Sequence, residues 1–376
     1  MTASTDRTLS RTYVSVDLNA IRHNVRHFRE MNPGAGIVAV VKADAYGHGA
    51  VKVAEAVQDL VTGFAVAIPE EAMELHDAGI RKPVLLLGAC DAAWYETLIR
   101  AEVRIPLFTR KQAEDLREAA AHVGKPALCH VKADTGMGRI GLAPDGDSVA
   151  FLKEVSSWDG LCLEGIFTHL ATADEPDDGA ALLQKARFLD FVKALEDAGI
   201  VFRVRHFANS AAGMRAEFHG SDLVRLGISL YGLEPSFDLE WKGLQPALSF
   251  YSTVRYVKTV PAGTPISYGG TFVTGRETRV ATVPVGYADG FPRPLSNRGD
   301  VLIRGQRCRI LGRVCMDQFM ADVTDLPDVE EGDRVTLIGK DGEEEITVSE
   351  FSRRSGRFHY EAVCLISPRV PRVYTE

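Results

Sequence analysis

Five short segments carry side chains able to do chemistry, and each adjoins an apolar run. Lys42 lies in VVKADAYGHG, Lys132 in VKADTGMGRIG, His169 in FTHLATAD, Asn209 and Ser210 in HFANSAA, and Gly227 and Ile228 in VRLGISLYG. A lysine whose stem is buried at a strand end loses solvation, which lowers its pKa toward what a nucleophile or base requires. Taken alone, Lys42 fits equally well as a lysine lying along apolar surface with its amine in water. The following AYGHG brings Tyr46 and pliant backbone within reach, and the combination favours a Schiff-base lysine. Ser210 reads as the N-cap of a short helix, AAGM, whose free N–H groups suit a phosphate, although a lone serine is more often only a cap. Gly227, with no Cβ, lets backbone approach a ligand, or simply ends a strand. A reactive lysine with a phosphate cradle suits pyridoxal phosphate, which carries both an aldehyde and a phosphate. Arg225 interrupts an apolar strand, and a buried guanidinium needs a partner, either the pyridine nitrogen of such a cofactor or a carboxylate. An arginine keeps its proton, so it would leave the ring a weaker electron sink.

The elements that must position these residues alternate. Strand-like runs fall at Ile37–Val41, Gly63–Ala67, Val84–Leu87, Val103–Phe108, Ala127–Val131, Leu161–Phe167, Phe202–Phe207 and Leu223–Leu226. Several are continuous apolar runs, as parallel strands buried on both faces require. Between them lie amphipathic stretches; in Leu182–Ala198 the residues Leu182, Ala186, Leu189, Val192 and Leu195 recur at helical steps before Gly199. Eight such alternations predict a (β/α)8 TIM-type barrel over 13–243, with its active site at the carboxyl ends of the strands. All five chemical segments fall at those ends. From 244 to 376 the segments Leu248–Val257, Arg279–Pro284, Asp300–Ile303, Cys308–Ile310 and Arg334–Ile338 are short and β-rich, with turn signals at Gly305-Gln306 and Asp341-Gly342. This predicts a mostly antiparallel β domain. A strand at Tyr13–Asp17, ahead of a helix at Ile21–Glu30, fits either domain.

Composition narrows the class. The 376 residues are 45% hydrophobic and 25% charged, ordinary globular usage, with a net charge of −8. There is no basic footprint for nucleic acid or an anionic membrane, and the cluster Arg304–Arg313 reads as a solvated β face. The six cysteines form no CxxC pair, which argues against a zinc cluster or disulfide framework and fits a reducing compartment. No apolar run reaches the roughly 18 residues of a membrane span, and MTASTDRTLSRTY has no apolar signal core, so a soluble cytoplasmic protein is expected.

Together VVKADAYGHG, KADTGMGRIG, THLATAD, FANSAA, VRLGISLYG, ISYGGTF, VGYADG and GRVCMDQ closely resemble the alanine racemase family, in the family's order, from about residue 13 to residue 372. The resemblance implies a pyridoxal 5'-phosphate enzyme that interconverts L- and D-alanine and supplies D-alanine for peptidoglycan. Lys42 would hold the cofactor as an internal aldimine and act as one base. Tyr268 in ISYGG would be the second base, reaching into the active site of the partner in a homodimer. Two bases make sense because racemisation removes a proton on one face of a planar carbanion and delivers it on the other. The likeness assigns Tyr46, Ser210, Gly227 and Ile228 to the phosphate, with Asn209 beside them, Arg225 to the pyridine nitrogen, and His169 to the network near the ring. Arg139, Met316 and Asp317 match carboxylate recognition, and Tyr287 the substrate entry path. Lys132 matches a lysine that some members carbamylate.

One position departs. Several members place a tyrosine before the C-terminal RVPR, where it touches the phosphate and crowds the substrate side chain; here it is Pro368 in ISPRVPR. The loss of that bulk motivates a broad-specificity or serine-preferring racemase as the alternative. Arg225 argues against a decarboxylase on the same plan, which would carry a carboxylate at the pyridine nitrogen. Retention of both candidate bases argues against a non-catalytic cofactor carrier.

Overall fold

The computed structural model describes residues 11–376. Its first strand, Thr12–Asp17 (β1), leads into the helix Leu18–Met31 and then into eight short strands. These are Gly36–Val40 (β2), Gly63–Val66 (β3), Val84–Leu86 (β4), Ile105–Leu107 (β5), Ala127–Lys132 (β6), Leu161–Phe167 (β7), Val204–His206 (β8) and Leu223–Leu226 (β9). Each falls within two residues of an expected run. They form two parallel four-stranded sheets, β4-β3-β2-β9 and β5-β6-β7-β8. Main-chain bonds join the sheets at both seams: Leu86 N–H to Arg104 O (2.9 Å) on one side, Arg225 N–H to Ala208 O (3.0 Å) on the other. The ring therefore closes as a (β/α)8 barrel. Strands β3, β4 and β5 are buried at every residue, so apolar runs rather than alternation mark them in the sequence.

The helix expected at Leu182–Ala198 spans Gly179–Asp197; it buries Val192 and Leu195 of the expected stripe, but with Phe188 and Phe191 in place of Ala186 and Leu189. Leu189 is instead 43% exposed. The aromatic rings decide the face, with Phe188 packing edge-on to Phe207 at 5.8 Å between centroids.

The chain divides into one unit of Ala20–Pro246 and another that joins the described part of Met1–Asn19 to Ala247–Glu376. The expected barrel segment 13–243 differs from this division at its N-terminus. Strand β1 pairs antiparallel with Leu248–Thr253 (β10) and parallel with the last strand, Arg372–Thr375. Its alternating burial, with Val14 and Val16 inward, is the pattern of a sheet with one covered face. The rest of this ten-stranded, mostly antiparallel sheet includes Thr278–Val283, Asp300–Ile303, Gln306–Leu311, Phe319–Asp322 and Arg334–Asp341. Because Ile303 pairs with Gln306, the hairpin turn is Arg304-Gly305, one residue earlier than expected. Both residues have positive φ, 51° and 75°, as a tight primed turn requires. Two short helices, Val348–Ser355 and His359–Cys364, complete the unit; at eight and six residues they are too short to show a long helical period in the sequence.

Candidate active site

Lys42 follows β2 and opens a single left-handed turn. Ala43, Asp44, Ala45 and Tyr46 all hold φ of 51–54°, each costing of order 1 kcal/mol or more for an L-residue. Hydrogen bonds hold the turn in place. Glu71 Oε1 accepts the Ala43 N–H (2.6 Å), while its Oε2 accepts Ala67 N–H (2.8 Å), tying the loops after β2 and β3 together. Asp44 accepts the N–H of Ala50 at 2.8 Å. The Lys42 Nζ lies 6.0 Å from the centroid of the Tyr46 ring.

The strand ends of β8 and β9 meet beside Tyr46. Ser210 Oγ accepts the Gly227 N–H at 2.9 Å. A Cβ at Gly227 would stand 2.9 Å from Tyr46 Oη and 3.7 Å from Ser210 Oγ, so only glycine leaves this cradle open. Asn209, not Ser210, is the N-cap of the short helix Ser210–Gly213, accepting the Ala212 N–H at 3.0 Å. That correction frees the Ser210 hydroxyl from capping. Ile228 begins the next turn and is buried.

Arg225, inside β9, is 4% exposed. Its Nη1 donates to His206 Nδ1 (2.9 Å), and its Nη2 to Thr168 O (2.8 Å) and Phe207 O (3.2 Å), with His169 Nδ1 at 3.3 Å. No carboxylate is among its hydrogen-bond partners in the described residues. Burial, with the nearby Arg139 charge, pulls its pKa down to about 9, so it remains a cation near neutral pH. His169 is driven well below its ordinary value by burial and by the charges of Arg225, Arg139, Lys132 and Lys42, and is neutral. Lys132, 2% exposed, donates to Ala133 O at 2.8 Å. Burial and the Arg225 charge lower its pKa to about 8.

The loop that carries Arg139 is organised by a residue the sequence reading passed over. Asp134 accepts the N–H groups of Gly136, Met137, Gly138 and Arg139, all at 2.9–3.0 Å. The run Asp-x-Gly-x-Gly, Asp134 to Gly138, is the signal that could have found it.

The remaining candidates belong to the unit of the antiparallel sheet. Tyr268 is 71% exposed, Met316 53% and Tyr287 45%. Tyr268, Met316 and Asp317 line a cavity of about 700 Å³, and Tyr268 and Tyr287 an adjoining one of about 410 Å³. Tyr268 follows Ser267, whose hydroxyl donates to Arg313 O at 2.7 Å. The buried Asp289 carboxylate binds Arg11 and Arg369, and Arg369 reaches on to Asp317 at 2.7 Å. Main-chain bonds from Tyr287 N–H to Cys315 O and from Ala288 N–H to Met316 O hold the two segments side by side.

The barrel unit thus presents an amine, a cradle lined by the Tyr46 and Ser210 hydroxyls over Gly227, and a buried guanidinium. A ligand with an aldehyde, a phosphate and a ring nitrogen matches all three. Among the described residues no cluster of three or more His, Cys, Asp or Glu could hold a metal ion, and no helix is long and apolar enough to cross a membrane. A family model described as alanine racemase, N-terminal domain, matches residues 16–235, and one described as alanine racemase, C-terminal domain, matches 247–374. The alanine racemase of Halothermothrix orenii is 44% identical over 367 residues, covering 96% of both chains. That of Methanococcus maripaludis is 41% identical, covering 96% of this chain and 98% of the relative. The crystal structure of alanine racemase from D-cycloserine producing Streptomyces lavendulae superposes with a TM-score of 0.93 at 37% identity, covering 98% of this chain and 97% of that one. The chain belongs to the alanine racemase family.

Proposed function

We propose that this chain is a pyridoxal-phosphate-dependent alanine racemase, with Lys42 and Tyr268 as its two bases. The observation that carries this reading is the convergence of Lys42, the Tyr46–Ser210–Gly227 cradle and the buried Arg225 within one barrel unit. Tyr46, Ser210, Gly227 and Ile228 would hold the phosphate, Arg225 the ring nitrogen, and Lys42 the aldehyde carbon. When bound, the cofactor withdraws electrons from the substrate's α-carbon and so makes its proton removable at neutral pH. Lys42 Nζ holds or returns that proton on one face, and Tyr268 Oη does so on the other. Arg139, with Met316 and Asp317, orients the substrate carboxylate, Tyr287 lines its path of entry, and neutral His169 sits against Arg225 without adding a further charge.

A base that is 71% exposed needs a covering surface, and a second copy of the chain would supply it, making the homodimer the active form. The cellular role is D-alanine supply for peptidoglycan, in the cytoplasm. The test incubates L-alanine with purified enzyme and pyridoxal phosphate and resolves the product by chiral chromatography. Wild type yields D-alanine, and Lys42→Ala and Tyr268→Phe each abolish it; full turnover by either variant refutes that residue's role.

A further inference from the structure

Arg225, His206, His130, Glu164 and Arg104 form one hydrogen-bonded chain through the interior of the barrel unit. Beyond the Arg225–His206 bond, His206 Nε2 lies 3.0 Å from His130 Nδ1, and His130 Nε2 lies 3.4 Å from Glu164 Oε2. Glu164 in turn accepts Arg104 through both oxygens, at 2.9 and 3.3 Å, and has Arg203 at 3.6 Å. His206 is fully buried and His130 is 5% exposed. The backbone makes room for this path. The register of β6 against β7 shifts between Cys129 and His130, the kind of irregularity that re-aims a side chain. Opposite His130 stands Gly165, where a Cβ would lie 2.7 Å from the imidazole Cε1.

The chain has one consistent polarity. A guanidinium has only donors, so His206 Nδ1 must accept and its proton must sit on Nε2. That proton is donated to His130 Nδ1, which places the His130 proton on Nε2, facing Glu164. The other end requires the same direction: the hydrogen bond from His130 and the pairing with Arg104 hold the Glu164 pKa down to about 2, leaving an acceptor-only carboxylate. Burial drives both imidazoles below their ordinary pKa, so each carries one proton. Reversing the wire would set an Nδ1–H of His206 against an N–H of Arg225, donor against donor between two buried side chains.

We propose that Glu164 is a positioning residue for Arg225: it fixes the tautomers of His130 and His206 and so locks the guanidinium from the far end of the barrel. Both terminal nitrogens of Arg225 are then committed to protein acceptors, and Nε–H is the donor left for a ligand's ring nitrogen. The last link rests on the racemase reading; the polarity of the wire does not.

The experiment reads the ring-nitrogen NMR shifts of His130 and His206 near neutral pH, in cofactor-free and cofactor-loaded protein. Wild type is expected to show both rings as neutral Nε2–H tautomers in both forms. Glu164→Gln, whose amide can donate as well as accept, mixes the tautomers and lowers kcat by about 10-fold with little change in KM, and Glu164→Asp restores both. An Nδ1–H tautomer in wild type overturns the proposal. So does Glu164→Gln that lowers the melting temperature while tautomers and kcat stay as in wild type. If Glu164→Gln does not fold, the wild-type tautomers and Glu164→Asp decide. A wild type with the expected tautomers but no racemisation would remove the racemase reading and leave the wire standing.

Discussion

The Oδ2 atom of Asp134 accepts the backbone N–H of Arg139 at 3.0 Å, across a loop in which the N–H groups of Gly136, Met137 and Gly138 all point at Oδ1 of the same carboxylate. Burial pushes the Asp134 pKa up, but the amides of Gly138, Gly136 and Met137 and the Lys132 charge outweigh it and hold the group below the ordinary carboxylate value. A side chain that gathers four amides fixes where the Arg139 guanidinium can reach.

Asp134→Ala is therefore expected to raise KM for alanine by about 10-fold, with kcat less affected, because carboxylate orientation is lost before chemistry is. Asp134→Asn keeps an acceptor and should fall between. Because the folded pKa is depressed, the stabilisation is present above the unfolded pKa and fades as pH falls through the folded value. Steady-state kinetics in both reaction directions check the first point; an unchanged KM in Asp134→Ala would contradict it.

Glu71 plays the corresponding part for Lys42. Its two oxygens bridge Ala43 N–H and Ala67 N–H, and in the left-handed turn, which has no glycine until Gly47, only Asp44 is of a type with any tendency toward that conformation. Glu71→Ala should let Ala43–Tyr46 relax toward ordinary φ and displace Lys42. The expected readout is release of pyridoxal phosphate on dialysis, followed by its absorption, with Glu71→Gln retaining more. Undiminished cofactor retention in Glu71→Ala would show that the turn is held by other means.

These two carboxylates mark where sequence reading stops. The eight barrel strands were legible because burial on both faces leaves apolar runs, and Lys42, Ser210 and Gly227 were legible because they punctuate the ends of those runs. Glu71 and Asp134 work on backbone amides, which carry no side-chain pattern. The cap shifted from Ser210 to Asn209 because both are good capping residues and only the φ/ψ of the folded loop separates them. The placement of β1 depends on partners more than 230 residues away, Leu248–Thr253 and Arg372–Thr375. The polarity of the histidine wire is a property of tertiary contact alone.

Lys132 gives a prediction in pH. Its folded pKa is about 8 against an ordinary 10.5, with burial the largest cause and the Arg225 charge next. Between those values the unfolded chain binds more protons than the folded one, so this group's contribution makes stability rise with pH across that window. The neutral amine is also the nucleophile that adds to the carbon of carbon dioxide, releasing a proton, and a carbamate there would exchange a cation near Arg139 for an anion. Labelled bicarbonate should give a carbamate signal in carbon-13 NMR that Lys132→Arg lacks; no adduct at saturating bicarbonate would rule the modification out.

Ser267 holds φ 65° and ψ −177°, a region almost confined to glycine, immediately before Tyr268. The close approach of Gly312 explains the fit, since a Cβ there would lie 2.7 Å from the Ser267 Cβ. Ser267→Gly relieves strain worth of order 1–3 kcal/mol but loses the hydroxyl bond to Arg313 O. The melting temperature should hold or rise while kcat falls about 10-fold, because Tyr268 is no longer aimed. Full kcat with an unchanged pH profile would mean that the strain serves only the turn.

Pro368 tests specificity. It sits in a turn closed by Val370 N–H to Ser367 O, and the next residue, Arg369, is pinned to Asp289 and Asp317, so a substitution changes the side chain with little reason for the backbone to move. Proline at this turn position needs no special φ, and tyrosine is accommodated there. Pro368→Tyr adds bulk and a hydroxyl on the segment held against Asp317. It should raise the preference for alanine over serine in kcat/KM by about 10-fold or more, the range one added contact gives against a slightly larger substrate. Chiral chromatography of both amino acids with both proteins measures the ratio. An unchanged ratio would show that position 368 does not face the substrate, and that serine exclusion must be sought in other residues near Tyr268 and Met316.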